Sequence, residues 1–485
     1  MGLISEIRKL NYRDLKIFLI PIVAFSIYLA VFYPGIATFD SFNQLHQIAS
    51  NNFTNWHPFF HTFINMLCLK VYSNPISICI FQILVFSTMW MVICKYHRDD
   101  NAKMEKTFRL QLIITLIICL IPINALYSIT IWKDILFCYF LMFLCFLAKV
   151  MIDRNGRVNY KFIILLSLIM AFICQLRGNG RYVILIAVII YSIYLFMKKN
   201  TKMSILLPIL TITFILLISS LNIAYDVQDN EKDALMTKTA HMLAYYDMNM
   251  EIEEADREKI QSLIDEDKIN ESYILTGSDK IYAITNEDVF ENDTSTYIWL
   301  TLKYSLKDPL KCIEYVFGSS PMVWDITRDD SWLGRPYYLD GSKDRLQMDF
   351  NNYYSRHNYA PTEPYENISY ANWGTPAFYI LNMIPLGIEA NVVLDTLFNS
   401  PALYMYLSII LLISIQYITK SKEIFLMYIP NLLNIMIVFL STPIQDNRYL
   451  YANLLVCYML IIIYIGLRKY PIEKSKDSSM LRKIL

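Results

Sequence analysis

The chain has 485 residues, of which 55% are hydrophobic, 14% aromatic and 18% charged, against about 25% charged in an average soluble protein. Lysine plus arginine and aspartate plus glutamate number 43 each, so the formal net charge is zero. The apolar residues fall in blocks of bilayer-crossing length, which excludes a soluble enzyme, a disordered chain and a secreted disulfide scaffold.

In chain order, transmembrane helices are expected at about 17–33, 76–94, 109–127, 135–152, 161–176, 183–197, 203–222, 401–418, 425–441 and 449–467. Basic Arg8, Lys9, Arg13 and Lys16 precede the first block, yet no small-residue cleavage site ends it, so it reads as a retained helix. The outer loop after it, 34–75, holds two short helical patterns, Ser41–Ser50 and Pro58–Tyr72. The second is too short to span and carries Lys70, so both read as helices lying at the membrane interface. Between Ile223 and Ser400 the composition turns acidic: 31 of the 43 acids lie there beside 14 bases. That stretch reads as one polar domain of α or α+β type outside the membrane, with residues 318–375 as aromatic-rich loops. The fold class is therefore mainly α. A polytopic bundle of about ten spans divides into an N-terminal membrane module (1–222), an extracellular domain (223–400) and a C-terminal module with its tail (401–485).

Charge sets the orientation. The loops 1–16, 95–108, 153–160, 198–202 and 419–424 and the tail 468–485 carry most bases outside the acidic domain. The short opposite loops carry only Lys133, Arg177, Arg181 and Arg448. By the positive-inside rule both termini are cytoplasmic and 223–400 is extracytoplasmic. Eight of the nine cysteines lie in or beside apolar helices and only Cys312 falls in the polar domain, so no structural disulfide is expected. No sequence motif for a zinc site is present.

Ionisable groups at helix mouths are costly, and here they collect on the outer side. They are Asp40 and Gln44 after the first span, His57-Pro58 in the same loop, Trp132-Lys133-Asp134 before the fourth, Arg177-Gly-Asn179-Gly180-Arg181 between the fifth and sixth, and Asp446-Asn447-Arg448-Tyr449 before the tenth. Each alone has an ordinary reading as a cap or a snorkelling base. Together they read as one polar site. A carboxylate such as Asp40 can serve as general base on a hydroxyl. Lys133, Arg177, Arg181 and Arg448 can hold a phosphate and stabilise it as a leaving group, and Asp446 reads as an ion-pair partner of Arg448. Nucleotide-activated donors are not supplied outside the cell, so an outward transferase needs a donor that arrives in the membrane.

The series Pro34-Gly35, Asp40-Ser41, Gln44, His57-Pro58, Trp132-Lys133-Asp134, Arg177-Gly-Asn179-Gly180 and Arg448-Tyr449 resembles the GT-C superfamily of membrane glycosyltransferases, which use polyprenyl-phosphate-linked sugars. More closely, it is similar to a little-characterised bacterial family of that type. The resemblance covers about 17–222 and 401–467. It implies a GT-C-like bundle in a bacterial cell membrane, with Asp40 as catalytic base, Asp134 shaping the acceptor or metal site, and His57 opening the interfacial helix. Gln44, Asn179, Tyr449 and Trp132 are substrate-binding candidates. Ser41 stands where relatives often have a second acid, so a divalent cation (Mg or Mn) stays open and no metal ligand is assigned. The expected activity is inverting transfer of a sugar to an extracytoplasmic glycan or cell-wall polymer. The alternatives are a polysaccharide polymerase or ligase using polyprenyl diphosphate donors, and a lipid or solute transporter. A transporter usually shows paired halves with broken helices, and no internal repeat is visible. No nucleic-acid partner is expected.

Overall fold

The computed structural model describes residues 11–98, 104–228, 232–327, 375–441, 443 and 446–468. Among them the chain is helical with no strand, only isolated bridges. Most of the aromatic-rich stretch (328–374) and the basic tail from 469 lie outside the described residues. Eight helices are long and apolar enough to cross a membrane, or ten if each of two bent pairs is one span. The chain is a multi-pass membrane protein.

Helix α1 (Tyr12–Val31) opens on Asn11, whose side chain accepts the N–H groups of Arg13 and Asp14, both at 3.0 Å. The Asp14 carboxylate accepts the Asn11 N–H in return at 3.2 Å, which closes a capping box. Asp14 also pairs with Arg98, and with Lys95 at 3.4 Å, which ties α1 to the far end of α4 (Ile76–Tyr96). Between them lie α2 (Phe39–Ser50) and α3 (Phe59–Val71), the two short helices expected in the first loop.

The expected span 109–127 is not straight. It divides into α5 (Met104–Leu120) and α6 (Pro122–Ser128), which meet at 72°. Pro122 has no N–H to give to Ile118, four residues back, so the helix breaks there. The Asn124 side chain donates to that freed Ile118 carbonyl at 2.8 Å. Helix α7 (Lys133–Asp153) is the axis of the bundle: its whole apolar window is buried by other helices. A helix apolar all round belongs in such a place. The expected 161–176 span corresponds to the apolar α8 (Tyr160–Leu176), which at 17 residues is shorter than the eight helices counted above; α9 (Gly178–Met197) and α10 (Thr201–Ala224) follow. Only 17% of the α10 window is buried. Ile205, Ile209, Ile212 and Leu216 are exposed along it, a face suited to lipid.

Helices α11 (Lys232–Asn249), α12 (Glu254–Leu263), α13 (Glu266–Ser272), α14 (Asp279–Tyr282), α15 (Glu287–Asn292), α16 (Thr294–Lys307), α17 (Pro309–Ser319) and α18 (Pro321–Trp324) complete the polar segment up to residue 327. Residues from α11 to α17 enclose a separate core that includes Tyr246, Ile260, Phe290, Tyr304 and Tyr315. Of the two fold types expected for this domain, its described part is α.

The polar reading of 223–400 does not hold at its end. Residues 376–399 form a second apolar pair, α19 (Pro376–Glu389) and α20 (Val392–Asn399), bent by 101° and long enough together to count as a broken span or re-entrant loop. Phe378 on α19 packs its ring 5.3 Å from that of Phe32. The C-terminal spans are α21 (Pro401–Thr419), a 3-10 turn (Lys422–Tyr428) running into α22 (Ile429–Ser441), and a 3-10 turn (Asn447–Leu450) running into α23 (Tyr451–Arg468).

Lipid tails are as apolar as leucine, so packing and interhelical hydrogen bonds hold such helices together. Trp90 donates to Thr115 at 2.9 Å, Asn431 to Asn453 at 3.0 Å, and Tyr451 to Asn124 at 3.0 Å. Gly180 makes the tightest joint. A Cβ there would stand 2.2 Å from the Ile173 carbonyl oxygen, so α8 and α9 can meet at this angle only without one. Gly180→Ala is therefore expected to cost about 3 kcal/mol or more, whereas Gly178→Ala, with nothing within 4 Å of its Cβ, should be neutral. Thermal unfolding of both variants in detergent checks this; equal midpoints would refute the close approach.

Candidate functional site

Two loops with little local structure of their own are stitched into one wall. Gly35 sits at φ +127°, and a Cβ there would lie 2.5 Å from the Cys79 sulfur. Only glycine allows both the dihedral and the contact. The next residue can then pair with the loop before α7: Ile36 donates to the Ile129 carbonyl at 2.8 Å and accepts from Ile131 at 3.0 Å. Ser41 donates to the Ile131 carbonyl at 2.7 Å, and Trp132 Nε1 to the Thr38 hydroxyl at 2.7 Å. Asp40, in the first turn of α2, is thereby brought beside Lys133 and Asp134 at the start of α7.

Arg448 comes to the same wall from the start of the last span. Asp446 fixes it there by accepting the Arg448 backbone N–H at 3.0 Å and standing 2.9 Å from its Nε. The guanidinium Nη1 donates to Asp40 Oδ2 at 2.7 Å, and Nε lies 3.9 Å from Asp134 Oδ2. The rings of Trp132 and Tyr449 flank it at 4.8 and 5.2 Å. Arg177, held in the turn between α8 and α9, places Nε 3.1 Å from Asp134 Oδ1 and its guanidinium carbon 4.3 Å from the Tyr449 ring centre. Asp134 is 1% exposed, and neither of its oxygens accepts a hydrogen bond from the protein.

His57 closes one side. Lys133 is donor-only, so its Nζ, 2.8 Å from His57 Nδ1, requires that nitrogen to accept. The ring proton is then on Nε2, which faces Asp40 Oδ1 at 4.0 Å. Burial, then the Lys133 charge, pushes the His57 imidazole down to about 3, so it is neutral. For Asp40, burial alone would raise the carboxyl, but the charges of Arg448 and Lys133 outweigh it and hold the group well below the usual carboxylate range.

Of the eleven residues expected at the site, the structure joins Asp40, His57, Trp132, Lys133, Asp134, Arg177, Arg448 and Tyr449, with Asp446 as the anticipated partner. Arg181 is exposed and Asn179 half-exposed at the start of α9, in contrast to buried Arg177. Gln44 lies behind the wall. Its amide donates to Thr62 at 3.0 Å and faces His61 Nδ1 at 2.9 Å, which ties α2 to α3. Sequence reading missed that layer, although His57, His61 and Asn65 recur every four residues. Among the described residues no three of His, Cys, Asp and Glu converge as metal ligands would.

The histidines have a consequence for stability. Burial pushes His61, like His57, down to about 3 from 6.5. Both gain a proton far more easily unfolded than folded. Their contribution is complete above pH 6.5 and is lost as pH falls toward 3, by about 1.4 kcal/mol per pH unit for each. His57→Asn should remove about one proton from that slope between pH 6 and 4, read from thermal unfolding in detergent. An unaltered slope would place a protonated His57 in the folded state beside Lys133, Asp40, Asp134 and Arg448.

No curated protein and no solved structure matches the chain. A family model does, over residues 45–303, a span that takes in His57, Lys133, Asp134 and Arg177 but ends before Arg448. The match covers more than half of the sequence, and the chain belongs to that family, a family of unknown function (DUF6020).

Proposed function

We propose that the protein is an inverting glycosyltransferase of GT-C type that moves a sugar from a polyprenyl-phosphate donor to an extracytoplasmic glycan or cell-wall polymer. In this reading it lies in a bacterial cell membrane with both termini cytoplasmic and the acidic domain outside. The observation that carries it is the cluster of Asp40, Asp134 and Asp446 with Lys133, Arg177 and Arg448, largely withdrawn from solvent at one mouth of an apolar bundle. A buried ion-pair network contributes little net stability compared with apolar packing, so its cost in a membrane protein favours a functional role.

The chemistry follows from the parts. Asp40 removes the acceptor hydroxyl proton as that oxygen attacks the anomeric carbon, and the bond from carbon to phosphate oxygen breaks. The polyprenyl phosphate leaves with the negative charge, held by Arg448 and Arg177. Asp134, 1% exposed with Arg177 Nε at 3.1 Å, shapes the acceptor side from behind by holding that guanidinium in place.

The test is transfer of radiolabelled sugar from a polyprenyl-phosphate donor by the purified protein in liposomes. Product formed by the wild type supports the reading. Failure with every such donor, together with substrate-dependent flux across the liposome, would replace it with the transporter. Orientation has its own check. Cysteines placed at exposed Glu271 and Lys202, with Cys68 and Cys312 replaced, should react with an impermeant maleimide from outside and only after permeabilisation, respectively. The reverse pattern would overturn the assigned sides.

A further inference from the structure

Three carboxylates surround the Arg448 guanidinium, and they differ in what else holds them. Asp446 is 3% exposed and accepts the Arg448 backbone N–H at 3.0 Å. Asp134 is 1% exposed and has Arg177 Nε at 3.1 Å. Asp40 has the Arg448 Nη1 at 2.7 Å, His57 no nearer than 4.0 Å, and 29% of its side chain open. Two of the three are sealed in. Asp40 alone can leave.

A reason to leave lies in the charge balance. Three acids face three bases, with His57 neutral; both arginines already face carboxylates, while Lys133 meets the His57 ring at 2.8 Å. A phosphate entering among these groups leaves the cluster net negative, so it repels the carboxylate that can move, and a phosphate oxygen at the Arg448 Nη1 position must replace Asp40 there. Arg448 is built for the exchange. Its planar fork is kept in place by the Asp446 charge 2.9 Å from Nε, by the Asp446 bond to the Arg448 backbone N–H, and by the rings of Trp132 and Tyr449 on its flanks, while the partner at Nη1 changes.

We infer that Arg448 is shared in turn between Asp40 and the donor phosphate, so that donor binding displaces Asp40 and thereby frees the base for the acceptor hydroxyl. This rests on the glycosyltransferase reading above and adds a regulatory step to it. Paired to Arg448, Asp40 is a weak base, because the guanidinium charge holds its carboxyl well below the usual range against the opposing effect of burial. Once a phosphate oxygen takes the Nη1 position, the carboxylate loses that stabilisation and becomes a stronger proton acceptor. The enzyme then meets an acceptor with an active base only when a donor is in place.

Exchange makes an unusual demand: removing the catalytic carboxylate must tighten phosphate binding. The experiment is calorimetric titration of full-length protein in detergent with farnesyl phosphate, and separately with inorganic phosphate. The proteins are the wild type, Asp40→Asn, Asp40→Ala and Asp226→Asn. Asp226 is an exposed acid at φ +51°, where asparagine is readily accommodated, so it controls for a general change in charge.

Loss of a competing charge-assisted bond predicts about 10-fold or tighter binding of farnesyl phosphate by both Asp40 variants, with Asp226→Asn unchanged. Tightening with inorganic phosphate as well would assign the site to phosphate at large and not to the lipid. Affinity unchanged or weakened in both Asp40 variants would overturn the exchange while leaving the donor reading intact. Failure of every protein, wild type included, to bind farnesyl phosphate would overturn the donor reading itself. The alanine variant matters because asparagine can still accept a hydrogen bond from Arg448. Thermal midpoints near that of the wild type show that each variant is folded.

Discussion

Asp40→Asn is expected to reduce sugar transfer by about 100- to 10,000-fold, the usual contribution of a general base. Asparagine keeps the shape of the side chain and can still accept a hydrogen bond from Arg448 Nη1, now 2.7 Å from Asp40 Oδ2. It cannot take a proton. Because Asp40 is partly open, in the first turn of α2, the substitution leaves no buried cavity and the fold should survive. The loss should fall on kcat, with KM for the donor lowered by the exchange inferred above. Asp446→Asn should behave differently. That residue caps the turn carrying Arg448 and holds its Nε, so donor binding or stability should suffer more than turnover. Single-turnover transfer, with the proteins matched for expression, separates the two. Near-normal transfer by Asp40→Asn would defeat the assignment of the base.

The sequence made the membrane body legible because hydropathy over about 20 residues reports directly on what a bilayer accepts. Its failures have local causes. Pro122 sits within an unbroken apolar run, so composition shows a span while the missing N–H bends it by 72°. Residues 376–399 adjoin a strongly acidic stretch, and the apolar pair there was averaged into the polar domain. The site was readable as a set of residue types at helix mouths, since charge is scarce there. Its pairing was only partly readable. Asp446 lies two residues from Arg448, and that contact could be anticipated. Asp40 lies 408 positions away, and its pairing with Arg448 at 2.7 Å depends on the packing of the last span beside the first outer loop, which no local pattern reports. Gln44 shows the opposite error: a polar residue near an acidic motif serves to link α2 with α3.

Arg448→Ala is expected to destabilise the protein by about 3–5 kcal/mol, the cost of removing one partner from a buried pair. That is a large fraction of the roughly 5–15 kcal/mol that holds a typical domain folded. Three carboxylates would lose their shared cation, and Asp134 and Asp446 are too sealed for water to replace it. Two further variants distinguish charge from simple truncation. Arg181→Ala removes an equally basic but exposed side chain and should change the midpoint little. Combining Arg448→Gln with Asp446→Asn removes one charge of each sign. Asp134 then keeps Arg177 at 3.1 Å and Asp40 keeps Lys133 and partial solvent, so much of the lost stability should return. Thermal unfolding in detergent at pH 7 reads all three. If the paired replacement is as unstable as Arg448→Ala, the damage comes from lost packing against Trp132 and Tyr449. If Arg448→Ala itself unfolds at the wild-type midpoint, the three-carboxylate cage does not hold this arginine.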